Sequence, residues 1–168
     1  MKLQFNPDLR YQKQAIDAVV ELFGGQLPKQ SNFTVMSPGA SLQPGLLPTE
    51  NGIGNRLDLD EEALLRNLQT IQLRNGLKQS TDLAKGRYDF DIEMETGTGK
   101  TYVYLRTIYE LNKTYGFTKF VIVVPSIAIK EGVLHSLETM EEHFAQHYDN
   151  TICEYFNYAN LCWINLFN

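Results

Sequence analysis

Seven consecutive residues, Glu95, Thr96, Gly97, Thr98, Gly99, Lys100 and Thr101, combine the residue types that hold a polyphosphate. Gly97 and Gly99 let the backbone bend with no side chain in the way. Successive N–H groups can then point inward at a β-phosphate, at the positive end of a following helix. Lys100 would reach the β- and γ-phosphates, and the Thr101 hydroxyl would hold a Mg²⁺ that bridges them. The strict pattern has glycine five residues before Gly99, where this chain has Met94, so the match is to the shorter Thr-Gly-x-Gly-Lys-Thr form.

Other residues can be weighed beside that loop. Gln12, in the run Tyr11, Gln12, Lys13, Gln14, Ala15, carries an amide that both donates and accepts, which suits the edge of an adenine and would select ATP over GTP. Phe5 could stack on the same base. Pro125 and Ser126 end the apolar run Val123, Val124 at the carboxyl edge where open α/β sheets bind ligands. A serine hydroxyl there can hold a DNA phosphate without positive charge, although a proline that only stops a strand explains the same residues. His143 and His147 have the i, i+4 spacing of a metal pair, yet Phe144 follows His143 and the metalloprotease signature is missing, so a surface pair is expected. Cys153 and Cys162, separated by eight residues, have no zinc-site spacing and are expected to be ordinary thiols.

These residues need elements to position them. Asn6 and Pro7 suit a helix cap and first position, and Ile16, Val19, Val20 and Phe23 follow at i, i+3, i+4 and i+7, which predicts an amphipathic helix ending at Gly24 and Gly25. Between Gly24 and Arg56 lie Pro28, Pro38, Pro44 and Pro48 without apolar periodicity, which predicts a mobile insertion. A second helix is predicted over residues 58–75, with Leu64, Leu68 and Ile71 on one stripe and Gly76 as its stop. Its opening, Asp60, Glu61, Glu62, Ala63, superficially resembles a helicase acidic box. A solvated first turn favoured by the helix dipole is expected instead, because that box should end an apolar strand downstream of the phosphate loop.

Residues 88–94 alternate Tyr88, Phe90, Ile92 and Met94 with Asp89, Asp91 and Glu93, the period-two pattern of a half-buried strand. After the glycine turn a helix is predicted to face the sheet with Val103, Ile108 and Tyr109 and to end at Gly116. Residues 119–124 then read as a fully buried strand stopped by Pro125, and a long helix over 127–147 carries Ile129, Val133, Leu137, Met140 and Phe144. Strand, loop, helix, strand, helix is the order that builds a parallel sheet with right-handed crossovers.

The bulk numbers fit a globular domain: 168 residues, 43% of them apolar and 11% aromatic. A net charge of −5 gives no basic footprint, so DNA contacts should be local rather than spread over the surface. The longest apolar run, residues 120–124, is far short of the roughly 20 that cross a hydrocarbon core, and residues 1–10 carry no leader pattern. No membrane span and a cytoplasmic location are expected.

The run Phe90, Asp91, Ile92, Glu93, Met94 leading into the phosphate loop, then Tyr102, Val103, Tyr104, Leu105 and Arg106 behind it, resembles one family in particular, as does Val123, Val124, Pro125, Ser126, Ile127, Ala128, Ile129. That family is the restriction (Res) subunit of type III restriction-modification systems, a helicase superfamily two motor fused to a nuclease. The resemblance runs from Met1 to about Asn150. It implies that Gln12 is an adenine-reading Q motif, that Thr96, Gly97, Thr98, Gly99, Lys100 and Thr101 form motif I, and that Val124, Pro125 and Ser126 form motif Ia on DNA. It also implies ATP and Mg²⁺ as cofactors, DNA as substrate and a methyltransferase subunit as partner.

The expected architecture is α/β, a partial RecA-like P-loop domain with a parallel sheet, preceded by an N-terminal helix and a long insertion loop. Its segments are 1–23, the helix with Gln12; 24–57, the insertion; 58–150, the first part of the ATPase domain; and 151–168, a divergent tail, apolar and unpatterned, which a frameshift would explain. No Asp-Glu box follows the phosphate loop. The piece is therefore expected to be a truncated ATP-binding portion, inactive alone. The alternatives are a small stand-alone P-loop protein or a non-enzymatic remnant.

Overall fold

A computed structural model describes residues 6–28, 55–83, 88–158 and 161–167. The elements in chain order are α1 (Arg10–Leu22), α2 (Glu61–Arg74), α3 (Lys100–Tyr115), β1 (Lys119–Val123), α4 (Ile127–His147), β2 (Ile152–Tyr158) and β3 (Leu161–Phe167). No described helix is long and apolar enough to cross a membrane.

Local chemistry accounts for most element boundaries. The Asp60 carboxylate accepts from Ala63 N–H at 2.7 Å and Glu61 and Glu62 follow, so the acidic run opens α2 against the helix dipole. The helix stops where Gly76 turns left-handed at φ 68°. Gly116 does the same for α3 at φ 72°, its N–H donating to Asn112 O at 2.8 Å. The start of α1 differs from expectation. Asn6 Oδ1 accepts from Asp8 N–H at 2.9 Å in a local turn, and the helix begins three residues later than Pro7, behind Leu9.

α3 lies at the centre. Its buried residues, among them Tyr102, Leu105, Ile108, Tyr109, Leu111 and Tyr115, are spread around the helix rather than along one stripe. One side packs with Val133, Leu137, Met140 and Phe144 of α4 and with Cys162, Ile164 and Leu166 of β3. Another meets Val19 and Val20 of α1 through Leu111, Tyr115 and Phe117. A smaller cluster, Leu22, Leu64 and Ile71, holds α1 to α2, with Phe90 packed against it.

The expected parallel sheet is not seen among the described strands. The described strands form a three-stranded antiparallel sheet in the order β1-β3-β2, with Val121 opposite Trp163 and Trp163 opposite Phe156. β2 and β3 are separated by two residues, a length that an antiparallel return spans and a parallel crossover does not. Residues 88–94 have the alternation expected of a strand but pair with none among the described residues. β1 is also not buried on both faces. It is an edge strand whose Val121 and Val123 are exposed. The apparently unpatterned tail is likewise ordered into β2 and β3, with Cys162, Ile164 and Leu166 inward and Trp163 outward. Alternation is invisible there because both faces of β3 carry apolar residues.

Of the insertion at 24–57, residues 29–54 lie outside those described, as does Phe5. Its two ends are described. Gln26, buried, donates from Nε2 to Arg56 O and Leu27 O at 3.3 Å each and accepts from Asp58 N–H at 2.9 Å. Asn55 then bonds the start of β1, accepting from Thr118 N–H at 2.8 Å and donating to Lys119 O at 2.6 Å. The departing and returning chains are thus bound to each other. Gln26→Ala should lower the free energy of unfolding by about 1–3 kcal/mol, since it leaves buried backbone groups unmatched. A urea midpoint equal to that of the wild type would show that this junction lies outside the cooperative unit.

Candidate functional site

The bend predicted from Gly97 and Gly99 forms. Both glycines are left-handed, at φ 81° and 82°, and Gly99 caps α3, its carbonyl accepting from Val103 N–H at 3.0 Å. The carbonyl of Glu95 closes the loop by accepting twice, from Thr98 Oγ1 at 2.7 Å and from Lys100 Nζ at 2.9 Å. Among the described residues no acceptor takes the backbone N–H groups of Gly97, Thr98, Gly99, Lys100 or Thr101. Unlike α2, α3 has no acidic residue in its first turn and no side-chain cap. Its positive end, with the exposed Lys100 beside it, is electrostatically favourable for an anion. An ammonium has three donors, so its bond to Glu95 O does not exhaust it. Thr101, half-buried, lies beside the Tyr104 phenol, which burial pushes up while the threonine acts the other way.

Gln12 joins the loop from 86 residues away. Its Nε2 donates to Thr98 O at 2.8 Å, and the residue is 6% exposed. A Cβ added at Gly99 would lie 2.7 Å from that nitrogen. Glycine at 99 is thus required twice, by its left-handed backbone and by the amide packed over it. The N–H groups of Gly97 to Thr101 and the Lys100 ammonium are donors that could hold a polyphosphate, and the Thr101 hydroxyl is a group that could ligate its Mg²⁺.

Ser126 is at the carboxyl end of β1, as expected, but its hydroxyl caps α4, accepting from Ile129 N–H at 3.3 Å. Pro125 is exposed. No described contact joins either residue to the phosphate loop.

A polar network behind the loop was not singled out from sequence. Arg106, two turns along α3, donates to Pro7 O at 2.5 Å and to Tyr148 Oη at 3.2 Å, and pairs with Glu110 at 3.6 Å. Tyr148 Oη in turn donates to Glu110 at 2.8 Å. The one local signal was the i, i+4 spacing of Arg106 and Glu110; the rest is tertiary. Tyr102, next to Thr101, shares a hydrogen bond with His143 Nε2 at 3.0 Å. His143 is half-buried, with its ring 4.5 Å from that of His147. Among the described residues no group of three or more His, Cys, Asp or Glu is arranged to hold a metal ion. Cys153 and Cys162 are free thiols, both pushed up by burial.

A mixed helix and strand domain, whose central helix starts from a glycine bend of phosphate-loop type, defines the class. The family model for the type III restriction enzyme res subunit matches residues 7–160, and the chain belongs to that family. The match covers β2 and so extends beyond the expected limit near Asn150. The chain is 34% identical over 158 residues to the EcoPI Res subunit of Escherichia phage P1 and 32% identical over 151 residues to the EcoP15I Res subunit of Escherichia coli, matches that cover 90% and 88% of this chain. It is 51% identical over 89 residues, 49% of this chain, to the StyLTI Res subunit of Salmonella typhimurium, of which that match covers 8%. All three relatives are type III restriction-modification enzymes, and the chain spans 14% of the length of the first two.

Two outcomes test this geometry. Gly97→Ala should cost about 1–2 kcal/mol for its left-handed backbone alone, with no atom near its added Cβ. Gly99→Ala should cost more, because Gln12 must also leave Thr98, and the excess should vanish in a Gln12→Ala background. Equal denaturation midpoints for the two glycine variants would contradict the packing of Gln12. The second outcome concerns pH. Burial, then His147, then Arg106 hold His143 below the ordinary histidine value. The unfolded chain therefore takes up a proton first as pH falls, and stability drops from about pH 6.5 downward until folded His143 also protonates. His143→Gln should flatten that slope in denaturation series run between about pH 7 and 5; an unchanged slope would place its origin elsewhere.

Proposed function

We propose that this chain is the ATP-binding front of a type III restriction subunit's motor. The observation that carries the proposal is the Gln12 amide bonded to Thr98 over Gly99, which joins an adenine-selecting side chain to a phosphate cradle. In this proposal Gly97, Thr98, Gly99 and the start of α3 bind the phosphates through backbone N–H groups, with Thr96 opening the bend. Lys100 would turn from Glu95 O to the phosphates, and Thr101 would hold Mg²⁺, which when bound supplies charge neutralisation at the transferring phosphate. Lys100 and Thr101 are the residues assigned to the hydrolase reaction. Gln12 reads the adenine edge, and Pro125 and Ser126 meet the backbone of DNA.

With this goes a RecA-like parallel sheet in which residues 88–94 supply the strand before the loop. At the level of the whole subunit, the proposal includes ATP-dependent movement and cleavage on DNA, a methyltransferase subunit as partner and a cytoplasmic setting. Support comes from family membership and from relatives that are restriction-modification enzymes. Turnover by these 168 residues alone should be slight, because no Asp-Glu pair follows the phosphate loop in them to hold the metal and position water.

Titration of the purified chain with ATP and Mg²⁺, alongside Lys100→Ala, tests the proposal. The variant should bind at least about tenfold more weakly, the equivalent of one charge-assisted contact, and hydrolysis should stay near background with or without DNA. Equal affinity in the two proteins would remove the phosphate site. Rapid hydrolysis abolished by Lys100→Ala would overturn the expected lack of turnover.

A further inference from the structure

We infer that Arg106 is a positioning residue that sets Gln12 against the phosphate loop and thereby controls base selectivity; this rests on the adenine role proposed for Gln12. The Arg106 side chain is only 13% exposed. It reaches three segments: Pro7 O ahead of α1, Tyr148 Oη beyond α4 and Glu110 one turn along α3. A guanidinium stays charged when desolvated, so its burial is tolerable only where its donors and its charge are matched. Here Glu110 supplies the opposite charge and Tyr148 bridges the two.

The consequence falls on α1. The packing of Ile16, Val19 and Val20 is apolar and therefore non-directional, so burial alone does not fix how far α1 slides or rotates along α3. Hydrogen bonds set the register, and three tie this region to α3 and its loop. Tyr115 Oη donates to Val20 O at 2.9 Å near the C-terminal end of α1, Arg106 holds Pro7 O ahead of its start, and Gln12 bonds Thr98 O between them. Pro7 is five residues before Gln12, joined to it by the turn at Asn6 and Asp8 and the first residues of α1. Release of Pro7 frees the end of α1 nearest the loop. The amide over Gly99 then loses its fixed position while Lys100 and the glycine bend stay where they are.

The test uses the 168-residue chain with ATP, GTP and inorganic triphosphate as probes. Arg106→Met keeps the apolar stem and removes the fork. It should lower the ATP-to-GTP affinity ratio about tenfold, the worth of one well-made hydrogen bond network, and leave triphosphate affinity unchanged. Gln12→Ala should give the same loss, and the double variant no further loss, because both act through one amide. In nuclear magnetic resonance spectra the Gln12 side-chain amide protons should move toward their solvent-exposed positions in Arg106→Met. If Arg106→Met does not fold, Arg106→Lys, which keeps the charge without the planar fork, should show the same change in ratio. An unaltered ratio in a folded variant, or losses that add in the double variant, would overturn the inference. A wild-type chain that binds ATP and GTP equally would remove the adenine role of Gln12 and this inference with it. Loss of triphosphate binding in the wild type would instead strike at the phosphate loop.

Discussion

One amide nitrogen, Nε2 of Gln12, donates to Thr98 O at 2.8 Å and occupies the space that a side chain at residue 99 would need. Much of the site follows from that contact. Gly99 must stay bare, its backbone can then turn left-handed, and α3 begins directly behind it. The left-handed turn at Gly99 and the amide packed against it come from different elements and meet only in the folded chain. The same contact ties α1 to the loop ahead of α3 and makes the packing between α1 and α3 part of the geometry of the candidate site.

α3 carries the load that follows. A helix buried around its circumference has little freedom to tilt, and its first turn is also one wall of the phosphate loop. The apolar contacts with α4 and β3 on one side and α1 on the other keep Lys100 and Thr101 at a fixed height. Polar groups are admitted to this packing only in matched sets, Arg106 with Glu110 and Tyr148, and Tyr102 with His143. Burial pushes the phenols of Tyr102, Tyr109 and Tyr148 up, which favours their neutral, hydrogen-bonding form.

What could be read from the residues was what short-range chemistry decides. The span of α4 was legible in full, because Val133, Leu137, Met140 and Phe144 repeat at helical spacing, although Ile129, counted with them, is exposed. The bend at Gly97 and Gly99 was legible because few other sequences put two glycines before Lys-Thr. The sheet was not. Its pairing joins β1 to a strand some forty residues later, and the nearly continuous apolar run of β3 hides which side faces inward. The start of α1 was misplaced because the Asn6 side chain prefers its own local turn. Gln12 was picked out for its amide, but its position over Gly99 depends on a contact between distant parts of the chain. Beyond its i, i+4 spacing to Glu110, Arg106 was visible only as part of a family resemblance, since Pro7 and Tyr148 come from distant segments.

The outer face of the sheet has a practical consequence. Val121, Trp163 and Phe156 lie side by side across the three strands and are exposed, and Trp163 is the only tryptophan in the chain. An indole in that position emits according to the polarity around it. The chain thus carries a built-in optical sensor on the side of the sheet opposite the core, and any molecule that comes to rest on β3 will change its colour.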